Sequence, residues 1–368
     1  MAWYSGVYPR FPGCAIQDGV CAGNHSGSCF GMVLLRPVQP GDLDGLRALA
    51  QHLDTVNLPA DPAVLRGIID ESHRGQEVLR HGAPGVRPVA LTLVAQGPGG
   101  DLLGTASLFA QHGTPEEPHY YLRVMEQVVH SRQLNTDRAR TLLRLEKDVQ
   151  PWTELGGLVV APAARGAGVG KLLVAARLLV VAMHRARFCD RLLAELLPER
   201  RADGGNAFWD AVGRPLTGMD YYRADLLCRT DKEFIDAFFP DDHLVADLLP
   251  AEARAHIAHE GTSTTPVRRL LQRAGFHWLG TIDPFDAGPH DGAEVAEVGP
   301  IKASRARVVL DLPPAGPGTR LLCAHPGDLV MTTTEATEVG HGLRLDAPVR
   351  DRLGLGPGDP AWVMPLDW

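Results

Sequence analysis

The chain has 368 residues, enough for two packed domains of ordinary size, and its 45% hydrophobic and 22% charged composition excludes wholesale disorder, a fibrous repeat and a coiled coil. With 36 Lys+Arg against 44 Asp+Glu the net charge is −8; lacking a basic tract, the chain is expected to bind neither nucleic acid nor a membrane surface. The longest apolar run, from Leu172 to Met183, is interrupted by Arg177 and is shorter than the ~18–20 residues of a membrane span.

Residues 1–31 carry Cys14, Cys21 and Cys29 in a Gly-rich, aromatic stretch with no apolar h-region. They read as a disordered or spurious leader, not a secretory signal, with Met32 opening the domain. The cysteine spacing lacks the close C-x2–4-C pairs of a zinc site, so no metal is expected from it. Cys189, Cys228 and Cys323 are scattered, which fits a reducing cytoplasm.

Val33–Val38 is a short β-rich run, and Pro40-Gly41-Asp42 turns into a helix bearing Leu43, Leu46, Leu49 and Leu53, with Asp42 placed to cap it. The pattern predicts a second helix over Ala63–Arg80. Strands over Val89–Gln96 and Leu102–Gln111 follow, joined by a Gly97–Asp101 hairpin turn. Tyr120–Val129 extends the sheet, and Arg138–Leu145 reads as a short helix or a further strand. A strand over Leu155–Val160 enters a glycine-rich turn, a helix leaves it from Val169 to about Arg187, and Leu192–Leu197 returns as a strand. Phe208, Trp209 and the Phe234–Phe239 stretch supply core aromatics. Glu252–Ala258 and Val267–Ala274 read as helices, the second closed by Gly275, and His277–Ile282 as a strand. From about Val308, short β-prone pieces alternate with Pro/Gly turns and suggest a small closing β module.

The glycine-rich junction is the most informative stretch. Glycines at a strand-to-helix turn let the backbone approach an anion closely, and the helix N-terminus favours negative charge. A Walker A reading fails because Lys171 is followed by Leu172, and a Rossmann reading fails because positions 171 and 173 are Lys and Leu. The run Leu158-x-Val160-x-Pro162-x-x-Arg165-Gly166-Ala167-Gly168-Val169-Gly170 instead resembles the acyl-CoA pyrophosphate loop of the GNAT acyltransferase superfamily. That resemblance implies an α+β fold: a mixed, mostly antiparallel sheet flanked by helices. It also implies that the strand ending near Val160 splays from its neighbour, so that the main chain of Leu158 and Val160 meets the pantetheine arm as an added strand would.

Further motifs are similar to one family within that superfamily, arginine N-succinyltransferase. They include Arg36-Pro37-Val38, Leu58-Pro59-Ala60, Tyr121-x-Arg123-Val124, Val129-His130-Ser131, Phe208-Trp209, Met219-Asp220 and Asp283-x-Phe285-Asp286-x-Gly288-Pro289. The similarity covers residues 32–305 as an acyltransferase region, leaving 1–31 outside and 306–368 as the β module. It implies transfer of succinyl from succinyl-CoA to the α-amine of L-arginine, giving N2-succinylarginine and CoA, the first step of arginine degradation. Succinyl-CoA is then a co-substrate, and no permanently bound cofactor is expected. It implies a succinyl-CoA contact at Leu158 and a proton-donating histidine, assigned to His259 with His256 as rival, because the spacing to Pro266 is two residues longer than the family's. Related chains of the family assemble, so a homo- or hetero-oligomer is an open alternative, as is ornithine as substrate.

The chemistry asks for these groups on its own account. An α-amine is mostly protonated at neutral pH and needs a base, for which Glu154 is the candidate; a histidine can serve either proton step. The succinyl carboxylate needs a cation, with Arg123 as candidate. An arginine side chain needs a carboxylate, with Asp220, Asp225, Asp283 and Asp286 undistinguished. Two other readings stay open: a GNAT acyltransferase with another acyl-CoA or amine, and a non-catalytic CoA-binding subunit.

Overall fold

The computed structural model describes residues 33–51, 58–83, 85–201, 204–228 and 232–368. The readings of the leader, of Met32 and of the helix end at Leu53 lie outside them. No helix among the described residues is long and apolar enough to cross a membrane.

The strands are β1 (Leu34–Pro37), β2 (Ala90–Gln96), β3 (Leu102–His112), β4 (His119–Ser131), β5 (Thr136–Asp148), β6 (Trp152–Val160), β7 (Arg191–Glu195), β8 (Leu244–Val245), β9 (His277–Ile282), β10 (Pro289–Glu294), β11 (Arg305–Val309), β12 (Thr319–His325), β13 (Val330–Val339), β14 (Gly342–Arg344) and β15 (Pro360–Pro365). The helices are α1 (Leu43–Ala50), α2 (Pro62–His81), α3 (Val169–Met183), α4 (Ala207–Ala211), α5 (Gly213–Thr217), α6 (Tyr221–Leu227), α7 (Glu233–Phe238), α8 (Ala251–His256), α9 (Thr265–Ala274), α10 (Gly299–Ala303) and α11 (Ala347–Leu353).

Among the described residues one sheet runs in the order β12-β15-β11-β14-β13-β1-β2-β3-β6-β7-β10-β9-β4-β5-β8. Its pairings are antiparallel except β6 with β7 and β11 with β14, so the mostly antiparallel α+β, GNAT-like fold read from the sequence is the one observed. β12 also pairs with β13, which closes the C-terminal strands into a ring. That ring encloses its own apolar core of Leu321, Cys323, Leu343, Leu345, Leu353 and Val363. It stays continuous with the main sheet through β1, where Leu34 faces Thr332.

α3 is apolar on nearly every side, and its residues from Leu172 to Val181 are buried. A helix of that composition belongs inside a core, and it packs with β2, β3 and β6 in the largest apolar cluster. A second cluster, under β4 and β5, holds the fully buried Phe208 and Trp209 together with Phe234 and Phe239, whereas Phe238 is 53% exposed.

One local alternative is decided and two expectations change. Residues 138–145 form a strand, within β5, because their partners on β4 bury Leu142 and Leu143. Asp42 stands at the N-cap position of α1 but does not cap it with its side chain. Its carboxylate instead receives Arg36 Nη1 at 2.7 Å and Nη2 at 2.8 Å. Burial pushes Asp42 up, yet that guanidinium outweighs it and holds the carboxyl below its ordinary value. The helix expected to reach Arg187 ends at Met183, and Arg185–Arg187 form a separate 3-10 turn.

Candidate active site

The site begins with a fault between two parallel strands. β6 and β7 pair only at Thr153 with Leu192 and at Glu154 with Leu193. Past Glu154, β6 carries an extra residue against β3: Thr105 faces Val159 while Ser107 faces Gly156. Gly157 takes up this bulge with φ 58°, a left-handed value that suits glycine. The bulge bends β6 away, and β7 continues with β10 instead, where Glu195 faces His290.

Arg177 of α3 is 1% exposed and braces the bulge. Its Nη1 donates to the carbonyl of Gly156 at 3.1 Å, and Nε donates to that of Leu173 at 3.3 Å. Burial pulls the guanidinium down to about 10, opposed by the charge of Glu154, so it remains a cation at neutral pH. In the sequence Arg177 only interrupts an apolar run; which carbonyls it serves is a matter of packing.

The splay opens a cleft of about 640 Å³. At one end Gly166 (φ 79°) and Gly168 (φ 83°) turn the chain into α3, whose ladder opens with Leu172 donating to the carbonyl of Gly168 at 3.1 Å. The amides of Val169, Gly170 and Lys171 precede that ladder at the positive end of the helix. Glu154, Leu158, Val160, Arg165, Gly166, Gly168 and Gly170 all line the cleft. Of the expected loop residues, Ala167 and Val169 are not among its lining: Ala167 is exposed and the Val169 side chain lies in the core. Lys171 lines it too, with Nζ 2.7 Å from the carbonyl of Leu366.

The other end is acidic. Glu195 from β7, Asp225 from α6, and Asp283 and Asp286 from the turn between β9 and β10 line it, with Arg200 and Tyr221. Arg200 Nη2 donates to Tyr221 Oη at 3.3 Å. The Asp283 carboxylate accepts the amides of Phe285 and Asp286, and Asp286 accepts that of Gly288. Burial, with the charges of Asp286 and Glu195, raises Asp283 well above the carboxylate range. Burial also pushes Asp286 up to about 7, against the Gly288 amide and Arg200. Three of the four carboxylates named from the sequence therefore reach the cleft. Asp220 does not: it caps α6 through the amide of Arg223. Arg123 does not line the cleft either; its Nε is bound to Glu146 at 2.8 Å. Arg200 is a cation that does line this end of the cleft.

Glu154 is 15% exposed in its side chain and meets His112 Nδ1 at 3.1 Å. Around Glu195 stand His112, His119 and His290, with neighbouring ring centroids 4.5 and 5.2 Å apart. Burial pulls His112 down, but Glu154 and then Glu195 outweigh it and the ring sits above its ordinary value. Burial takes His290 down to about 3, despite Glu195. Burial likewise raises Glu195, yet the imidazoles, His119 foremost, hold it well below the usual carboxylate range. His112 and His119 flank the short β3–β4 connection, whereas Glu195 and His290 lie far along the chain from them, and the four sit on four different strands.

His259 lies on the loop between α8 and α9. It is exposed, its Nδ1 is 2.7 Å from the carbonyl of Ile257, and it is not among the residues lining the cleft. The same loop reaches the wall four residues later at Ser263 and Thr264. His256 is tied down at both ring nitrogens, by the carbonyls of Glu252 at 2.8 Å and Glu199 at 3.0 Å.

A family model described as "Arginine N-succinyltransferase beta subunit" matches residues 33–299. The chain belongs to the arginine N-succinyltransferase family. An arginine N-succinyltransferase of Enterobacter sp. (strain 638) is 32% identical over 295 residues, 79% of this chain and 84% of that protein. One of Citrobacter koseri is 30% identical over the same length and shares. The solved structure of arginine/ornithine succinyltransferase subunit AI from Pseudomonas aeruginosa aligns with a TM-score of 0.78 at 24% identity, over 92% of this chain and 100% of that one, and so has the same fold. As a member of this acyl-CoA-dependent family, the chain is an acyltransferase. Every residue lining the cleft lies within the family-matched segment, whereas the C-terminal ring β11–β15 lies beyond it.

Proposed function

We propose that the chain moves the succinyl group of succinyl-CoA to the α-amine of L-arginine, giving N2-succinyl-L-arginine and CoA, as the first step of arginine degradation. One observation carries the reading: a single cleft joins an anion-receiving helix end at Gly166–Gly170 to an acidic end built from Glu195, Asp225, Asp283 and Asp286. The first suits the pyrophosphate of a CoA thioester; the second suits a guanidinium side chain. Arg200 lies at the acidic end and suits the succinyl carboxylate.

In this reading Leu158 and Val160 offer the pantetheine arm the main-chain groups freed where β6 leaves β7. Arg165, Gly166, Ala167, Gly168, Val169 and Gly170 form the pyrophosphate loop. Glu154, at the fault between the strands, takes the proton from the attacking amine. The amine nitrogen bonds to the thioester carbonyl carbon, and the oxyanion is stabilised by amide donors of the splayed strand. The C–S bond then breaks, and the thiolate takes a proton from His259, whose loop runs into the cleft wall at Ser263. The names of the relatives favour arginine as the amine, and the reading sets the reaction in the cytoplasm.

The test is thiol release with succinyl-, acetyl- and glutaryl-CoA against arginine, ornithine and lysine, with products identified by mass spectrometry. Succinyl-CoA with arginine should give the highest kcat/KM. Turnover confined to another acyl-CoA or amine would replace the substrate assignment, and no turnover with any pair would leave a CoA-binding chain.

A further inference from the structure

The histidines around Glu195 have no step in that reaction. His112 ends β3, His119 opens β4 and His290 is the second residue of β10. Their Nε2 atoms lie 3.6, 3.1 and 4.0 Å from one oxygen, Glu195 Oε1. All three Nε2 atoms are buried; that of His119 has Glu195 Oε1 as its near partner, whereas those of His112 and His290 stand too far from it for a hydrogen bond. Buried polar atoms are ordinarily satisfied, and one carboxylate oxygen does not satisfy three imidazoles that converge on it.

The far sides of two rings are held. His112 Nδ1 meets Glu154 Oε2 at 3.1 Å, and His290 Nδ1 lies 3.4 Å from Thr281 Oγ1. A carboxylate or hydroxyl behind a ring fixes its tautomer and aims Nε2, which is how protein sites orient metal-ligating histidines. The spacing also fits: four ligands at about 2.0–2.2 Å from a tetrahedral ion stand roughly 3.3–3.6 Å apart. The ligand atoms of His112, His119 and Glu195 lie within 4.8 Å of one another, as do those of Glu195, Asp283 and His290.

We propose that His112, His119 and Glu195 bind one divalent first-row transition ion, of the zinc class, at the acidic end of the cleft, with His290, whose Nε2 stands 4.0 Å from Glu195 Oε1, drawn in as the fourth ligand when the ion binds. Three imidazoles without a thiolate suit zinc, cobalt, nickel or iron rather than magnesium or calcium. Glu154, Glu195, Asp283 and Asp286 around the cluster compensate the charge of the ion. The ligands come from β3, β4, β7 and β10, which the sheet order brings together, so the site exists only in the folded chain. It takes Glu195 from the carboxylates offered to a guanidinium and leaves Asp225, Asp283 and Asp286 for that role, so it goes beyond the succinyl-transfer reading and does not depend on it.

The experiment uses the full-length chain with any affinity tag removed and metal stripped by chelator. Zinc is titrated calorimetrically and counted by elemental analysis, and cobalt is followed by its visible d–d bands. One equivalent should bind with sub-micromolar Kd, cobalt should show the intense bands of a four- or five-coordinate site, and zinc should raise the melting temperature, because it binds the folded state alone. His119→Ala and His290→Ala should each weaken zinc binding at least ~100-fold, with metal-free far-UV circular dichroism unchanged. Where an alanine variant fails to fold, Glu195→Gln at the cleft wall serves in its place, with the same loss expected. The site is overturned if the stripped chain takes up none of zinc, cobalt, nickel or iron(II) at micromolar concentration. It is equally overturned if the bound equivalent and the cobalt spectrum persist in folded His119→Ala and His290→Ala.

Discussion

Replacing Gly168 by Asp should abolish tight acyl-CoA binding while leaving the fold in place, and comparison with Gly168→Asn isolates the charge. Gly168 has φ 83° and ψ 1° at the N-cap of α3. Asp and Asn tolerate this left-handed region better than other L-residues, so the strain should stay within ~1–2 kcal/mol. Either residue is also a good N-cap, and a negative charge there favours the helix by ~0.3–1 kcal/mol. The melting temperature should therefore fall by no more than about 4 °C. Binding is another matter. A carboxylate held roughly 5 Å from a phosphate at an effective dielectric of about 20 opposes it by ~3 kcal/mol per unit of charge. At ~1.4 kcal/mol per decade that is a loss of two orders of magnitude or more in Kd, whereas Asn should cost about tenfold or less. Titration calorimetry with succinyl-CoA at low and high salt measures both variants, and salt should narrow the gap between them. If folded Gly168→Asp binds with wild-type affinity, the pyrophosphate does not sit at this helix end. If Asp and Asn lose equally, shape and not charge decides, and the electrostatic argument is wrong.

Glu154→Gln should lower kcat by ~10²–10⁴-fold with little change in the KM for succinyl-CoA, read by thiol release; an unchanged kcat would remove it as the base. His259→Ala should lower kcat in the same range and remove one limb of the pH–rate profile. His256→Ala should instead lower the melting temperature, because its ring joins the carbonyls of Glu252 and Glu199, and a larger kcat loss in His256→Ala than in His259→Ala would reverse the assignment. Arg177→Leu should destabilise by ~1–3 kcal/mol by stranding the Gly156 carbonyl, and should weaken succinyl-CoA binding as the splay closes; unaltered binding would show that the bulge stands without it. Asp42→Asn should be less stable at neutral pH. Because Arg36 depresses the Asp42 pKa in the folded chain, that contribution is present above the unfolded value of about 4 and is lost as pH falls through the folded one. The gap in melting temperature between wild type and variant should accordingly shrink below pH 4, and a constant gap would refute the linkage.

Much of the architecture is written in short-range pattern. The hairpin at Gly97–Asp101, the apolar helix α3 and the Gly275 cap each depend on neighbours a few positions apart, where side-chain periodicity and the φ freedom of glycine act directly. The anion loop is legible for the same reason, since Gly166 and Gly168 do their work through their own backbone. The choice between helix and strand at 138–145 was not local: pairing with β4 decided it. Likewise Asp42 sits at a helix start that reads as a cap, but a folded Arg36 competes for its carboxylate and wins. The acidic end of the cleft, the bracing by Arg177 and the three histidines about Glu195 arise from the strand order β3-β6-β7-β10-β9-β4. That order is set by long-range pairing and by burial of both sheet faces, and it brings Glu195 and His290 beside His112 and His119 although both lie far from that pair in the chain. Local chemistry thus marks where a phosphate can lie, and only the closed sheet determines which side chains stand opposite it.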